Sequence, residues 1–243
     1  MNTRLLFPAL FTWATASAPG AIISQWNFNG PSNTAVPSAG TPPAPIPSVG
    51  TGTATLAGGT SASFSSGTAN GGSTDPVTTS PANFGWGTST YPAAAAGNET
   101  AGLEFALSTV DDDTITVNYD LRHSNSSSRF EAVRYSTDGT NFITVSYFTG
   151  AAGDTWFNNR TVDLSGIPGV NNNPNFKIRI VAAFESSALG IGPAAYPGST
   201  TGTTYAPSGT WRFDMVTING VPEPSSALLG LLAGAIPMRR RNG

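Results

Sequence analysis

The stretch that most constrains the fold is Thr114 to Arg122, TITVNYDLR. Ile115, Val117, Tyr119 and Leu121 alternate with Thr114, Thr116, Asn118, Asp120 and Arg122. Side chains of a strand point to opposite faces in turn, so this period of two predicts one buried face and one wetted face. That is the signature of an antiparallel sheet. The same period recurs in Leu103, Phe105 and Leu107, and again in Phe176, Ile178, Ile180, Ala182 and Phe184, with Lys177 and Arg179 outward.

Further strands are predicted at Ile22 to Asn29, Thr53 to Ala57, Ser61 to Ser65, Thr155 to Leu164 and Gly209 to Val221. Arg129 to Tyr135 and Asn141 to Phe148 form a hairpin, because Asp138-Gly139 supplies the positive φ of a tight turn. Three Gly-, Pro- and Ser-rich stretches, 30–50, 66–99 and 186–209, read as long loops. Within the second, Phe84-Gly85-Trp86-Gly87 reads as an aromatic turn over one end of the core. About ten strands with no helix between them predict an all-β chain, a single antiparallel β-sandwich of the jelly-roll or concanavalin-like kind. The first and last strands are expected to lie near each other.

Composition narrows the function classes. The absence of cysteine removes disulfides, thiolate metal sites and a cysteine nucleophile. Residues 22–220 carry seven basic and 13 acidic side chains, a net charge of −6, which argues against nucleic acid as a partner.

The two ends carry addresses rather than chemistry. Residues 1–21 read as a secretory signal helix: Arg4, an apolar run from Leu5 to Ala16, then the small residues Ala16-Ser17-Ala18. At the other end, Val221-Pro222-Glu223-Pro224 is stiff and extended, since proline fixes φ and biases the residue before it. An apolar run from Ala227 to Met238 follows, then Arg239, Arg240 and Arg241. Such a run of about 12 residues is short against the roughly 20 of a membrane span. It predicts a short hydrophobic helix with a positive-inside stop on the cytoplasmic side.

In that three-part order, residues 221–243 resemble the PEP-CTERM sorting signal of Gram-negative exosortase systems. The resemblance implies signal peptidase and a membrane-embedded exosortase as partners, transient membrane insertion, and delivery to the cell surface or the extracellular polysaccharide matrix. The blocks Trp26-Asn27-Phe28, Tyr135-Ser136-Thr137-Asp138-Gly139 and Trp211-Arg212-Phe213-Asp214 resemble the bodies of other PEP-CTERM surface proteins with a β-sandwich. A non-catalytic surface protein is expected, with a carbohydrate-binding module as the alternative.

Catalytic constellations are sparse. His123, in HSNSSS, reads as an exposed loop histidine, and no Gly-x-Ser-x-Gly elbow is present for a serine nucleophile. Glu104 and Glu131 sit on predicted strands, but spacing cannot pair them into a glycosidase site. Within Asp111-Asp112-Asp113, Asp111 and Asp113 are weak Ca²⁺ candidates, and otherwise no cofactor is expected. For sugar binding the candidates are Trp86 and Trp156, while Trp26 and Trp211 read as core.

Overall fold

A computed structural model describes residues 20–33, 37, 40–80, 82–94, 96–183 and 196–223. Most of the signal segment, Phe184, Pro224, the apolar run and Arg239 to Arg241 lie outside these residues, and so do both expected terminal helices. The strands are β1 Ala21–Trp26, β2 Gly40–Thr41, β3 Ala44–Pro45, β4 Val49–Gly50, β5 Thr53–Ala57, β6 Ser61–Ser66 and β7 Phe84–Ser89. They continue with β8 Gly102–Ala106, β9 Asp112–His123, β10 Phe130–Ser136, β11 Ile143–Thr149, β12 Thr155–Asp163, β13 Lys177–Ala183 and β14 Trp211–Pro222. No α-helix occurs among the described residues.

Two antiparallel sheets form a sandwich. One has the order β12-β9-β14-β1-β4, and the other β11-β10-β13-β8-β5. The long β14 organises the first sheet. One edge of it pairs with β9 along most of its length; the other pairs with β7 near Trp211 and with β1 from Val216 onward. The expected neighbourhood of first and last strands is therefore a direct pairing, Ala21 opposite Gly220 and Trp26 opposite Val216. Since β1 begins at Ala21, the sheet reaches one residue into the segment read as signal.

Strand alternation places the core between the sheets. Ile115, Val117, Tyr119 and Leu121 of β9 are buried, facing Leu103, Phe105, Ile178 and Ile180 of the other sheet. Trp26, Trp86 and Phe105 meet in the middle, with ring centroids 4.9 and 6.2 Å apart for the two pairs that Phe105 makes. Each such burial contributes roughly 1.5–3 kcal/mol. Without a disulfide, burial is the main source of stability for a fold of this kind.

The loops were less legible. Gly58 and Gly59, both at positive φ, carry the chain from β5 in one sheet to β6 in the other. The proline-rich stretch 30–50 is no plain loop: it holds the β2–β3 hairpin and β4. Pro42 and Pro43 occupy the hairpin turn, where a fixed φ suits the geometry. The Phe84 to Gly87 segment is the strand β7 rather than a turn. Its glycines mark close approach, since a Cβ on Gly85 would stand 2.8 Å from Cγ of Arg212. The Asp138 hairpin forms as expected, with Gly139 at φ 76°. Asp138 Oδ1 accepts from the Ser136 hydroxyl and from the Thr140 and Asn141 amides, which holds its carboxyl well below the usual range.

Candidate functional site

The outer face of β9 and β14 carries the densest polar arrangement. Asp120 and Asp214 are register partners on adjacent strands, and both are buried. The sequence pattern put Asp120 on a wetted face. Instead the segment 66–79 folds back over that face and seals it. Thr74 donates its amide and hydroxyl to Asp120 Oδ2 at 2.5 and 2.7 Å. The Ser73 hydroxyl donates to Asp214 Oδ2 at 2.6 Å. The same segment is tied down at two more points: Asn70 Nδ2 donates to the Asp154 carbonyl, and Asn158 Nδ2 donates to the segment's Gly72 carbonyl.

Two irregularities aim backbone donors at the pair. The β14–β9 register slips beyond Asp214, and the β12–β9 register slips between Phe157 and Arg160. Met215 and Asn159, at these slips, have φ of 48° and 58°. Met215 N–H then donates to Asp214 Oδ1 at 2.7 Å, and Asn159 N–H to Asp120 Oδ1 at 2.8 Å. Bulges re-aim groups in this way. A methionine in the left-handed region is strained, and the surrounding hydrogen bonds hold it there.

A third carboxylate joins them from the covering segment. Asp75 is buried, accepting from Asn29 Nδ2 at 2.8 Å and from the Val77 amide at 2.7 Å. Among the described residues none of Asp75, Asp120 and Asp214 makes an ion pair. Burial raises the Asp214 carboxyl well above its ordinary range, and the charges of Asp75 and Asp120 push the same way. Asp75 is raised as well, chiefly by burial. Among the described residues, however, no group of three or more His, Cys, Asp or Glu side chains converges as a metal's ligand set.

A second buried polar group lies between the sheets. His123 is the last residue of β9 and fully buried, not exposed in a loop. Its Nδ1 donates to the Ser128 carbonyl at 2.9 Å, and burial holds its pKa down at about 3, so the ring is neutral. Its Nε2 lies 3.9 Å from Glu131 Oε2, beyond hydrogen-bond reach. Glu131 is fully buried on β10 and is pushed up to about 7 by burial, against the pull of Arg160 at 2.9 Å. The Arg160 guanidinium lies over the Phe148 and Phe157 rings, 4.7 and 5.0 Å from their centroids. This set links the sheets. The two serines nearest the ring, Ser127 and Ser128, are buried and bonded to backbone carbonyls. The other glutamate, Glu104, lies on β8 and binds Lys177 at 2.9 Å and Arg179 at 2.7 Å, away from Glu131.

The remaining sequence candidates separate. Trp86 is fully buried and donates Nε1–H to the Pro42 carbonyl. Trp156 is 8% exposed beneath the segment 66–79 and donates to the Ala69 carbonyl at 2.7 Å. Neither offers a ring face on which a sugar could stack, so both belong with Trp26 and Trp211 as packing residues. Asp111 and Asp113 take different hydrogen-bond partners. The Asp113 carboxylate accepts from the Thr114 amide and from Asn171, while Asp111 uses its backbone carbonyl to accept from Glu223 N–H at 2.8 Å. Val221 and Pro222 pair with Asp113 and Asp112 as the end of β14, and Pro222 and Glu223 are exposed. Sequence reasoning missed the Asp75, Asp120 and Asp214 group.

No family model matches the chain, and no curated protein matches it. Among solved structures it is similar to the K1 cleaved adhesin domain of Lys-gingipain from Porphyromonas gingivalis W83. The TM-score is 0.33 and the identity 14%, over 65% of this chain and 89% of that one.

Proposed function

We propose that the chain is an exported surface or extracellular-matrix protein, sorted by an exosortase through residues 221–243, with a non-catalytic jelly-roll-like body. One observation carries the reading: the fixed order of Val221-Pro222-Glu223-Pro224, the apolar run 227–238 and Arg239 to Arg241. The position of the motif supports it. Strand β14 runs into Pro222 with no intervening linker, and Pro222 and Glu223 face solvent at the edge of the body. A processing enzyme that reads extended peptide would meet a segment already extended. Among the described residues no helix is long and apolar enough to cross a membrane. Insertion in this reading falls to the run 227–238, whose short length suits handing over rather than permanent holding.

The non-catalytic part of the reading draws on the buried, neutral His123 and on the separation of Glu104 from Glu131. The test is Glu223→Ala in the producing cell, followed by fractionation and by the mass of the released chain. The expected result is an unprocessed protein retained in the membrane fraction. Processing and display at the normal level would overturn the sorting reading.

A further inference from the structure

We infer that Asp75, Asp214 and Asn83 form a site for one Ca²⁺ ion beneath the segment 66–79, with Asp120 as its neighbouring anion. The acidic group alone would not establish this. The independent observation is Asn83, which is 2% exposed and whose Oδ1 is buried without a hydrogen-bond partner. That oxygen lies against Gly67 beside the Asp214 carboxylate: a Cβ built on Gly67 would stand 1.6 Å from Asn83 Oδ1 and 3.0 Å from Asp214 Oδ2. The side-chain amide of Asn83 also lies 3.5 Å from Ser73 Oγ, which is itself bonded to Asp214. Only glycine fits at 67, where the Asn83 amide oxygen takes the place of a side chain and the Asp214 carboxylate comes close. A cavity of about 150 Å³ adjoins it, lined by Thr68, Gly72, Ser73, Asp75, Thr78 and Asn83.

The donor set fits a hard cation. Every candidate ligand is an oxygen, and Ca²⁺ takes 6–8 of them, mixing carboxylate, amide or backbone carbonyl, hydroxyl and water. Two carboxylates with an amide oxygen need no third acidic side chain in the first coordination layer. Asp120 already accepts three hydrogen bonds, from Thr74 and Asn159, which suits it to the outer position. Buried carboxylates with no cationic side chain beside them are costly unless they take up a proton or a cation compensates, and a bound Ca²⁺ would keep them ionised. An ion here would lie between β14 and the covering segment, fastening one to the other. The site is distinct from Asp111 and Asp113, which sit at the start of β9.

The experiment uses the full chain, purified, stripped with EDTA and melted with and without about 1 mM Ca²⁺, the range in which extracellular sites bind. The expected result is a single bound ion by calorimetric titration. At a free concentration about a hundred times Kd, the melting temperature should rise by about 5–10 °C. Mg²⁺ should act more weakly, because it demands near-ideal octahedral geometry. Asp75→Asn and Asp214→Asn should each abolish the Ca²⁺-dependent rise. Asp75→Asn, in the covering segment, is the variant to rely on if Asp214→Asn fails to fold. No titratable Ca²⁺ in the wild-type chain would overturn the site, and so would a rise that persists in Asp75→Asn.

Discussion

Asp120 and Asp214 stand opposite each other on β9 and β14, two buried carboxylates side by side on a face that the alternation pattern assigns to solvent. Like charges directly across a strand pair are unfavourable. The arrangement persists because five hydrogen bonds converge on the two groups, from Ser73, Thr74, Asn159 and Met215. The segment 66–79 is thereby bound to the sheet by polar contacts.

Asp120→Asn tests that attachment. Asparagine presents an NH₂ group where a carboxylate oxygen now receives donors, so buried donors on Thr74 or Asn159 lose their acceptor. The expected loss is about 1–3 kcal/mol. Hydrogen exchange should quicken at Thr74 and its neighbours while the β13 amides stay protected. Unchanged exchange at Thr74 would mean that the segment is held by other contacts.

Glu131 makes stability depend on pH with a defined sign. Its folded pKa of about 7 lies above the ordinary 4.5. Between these values the folded state binds the extra proton, so this contribution is fully present below pH 4.5 and is lost as pH rises through 7. The loss is about 3 kcal/mol in total. His123 acts oppositely between its folded value of about 3 and the ordinary 6.5, where stability grows with pH. Glu131→Gln isolates the first effect. The stability of wild type relative to the variant should fall steadily from pH 4.5 to 7 and then level off, measured by urea melts. A pH-independent difference would refute the assignment.

Gly150 packs on the His123 ring, and a Cβ there would stand 2.6 Å from Nε2. The ring cannot retreat, being enclosed by Phe157 and Trp211 at 5.2 Å each. Gly150→Ala should therefore cost about 1–3 kcal/mol, visible in the denaturation midpoint. Gly166→Ala, where a Cβ would meet nothing within 4 Å, is the matched control and should be near neutral.

Trp86→Ala separates packing from binding. Loss of a fully buried tryptophan should cost about 3–5 kcal/mol. Affinity for any polysaccharide that the folded protein binds should be unchanged once stability is allowed for. A specific loss of polysaccharide binding at full stability would restore Trp86 as a ligand-contacting residue.

Glu104 offers the contrasting surface case. It joins Lys177 and Arg179 on the outer face of the second sheet, where all three side chains are partly solvated. Glu104→Gln should cost no more than about 1 kcal/mol, and the effect should shrink with added salt.

How much was legible follows from the range of each interaction. The alternation in TITVNYDLR and in Phe176 to Ala182, and the Asp-Gly turn, are local, so the sequence alone determined strands, hairpin and an all-β chain. It also determined that no disulfide or thiolate chemistry is available. Positions whose meaning depends on a distant segment were closed to it. His123 looked exposed because five polar residues follow it, yet it faces Glu131 from another sheet. Trp86 looked like a turn residue because glycines flank it, yet Gly85 makes room for Arg212 and Gly87 for the neighbouring strand at Ser63 and Ser65. Asp120 looked wetted because it alternates with apolar neighbours, yet Thr74, 46 residues earlier in the chain, covers it. Only the tertiary structure decided which polar side chains are buried. Burial of the outer sheet face is done by a segment with no periodicity of its own, and nothing local to Asp75, Asp120 or Asp214 records that they meet.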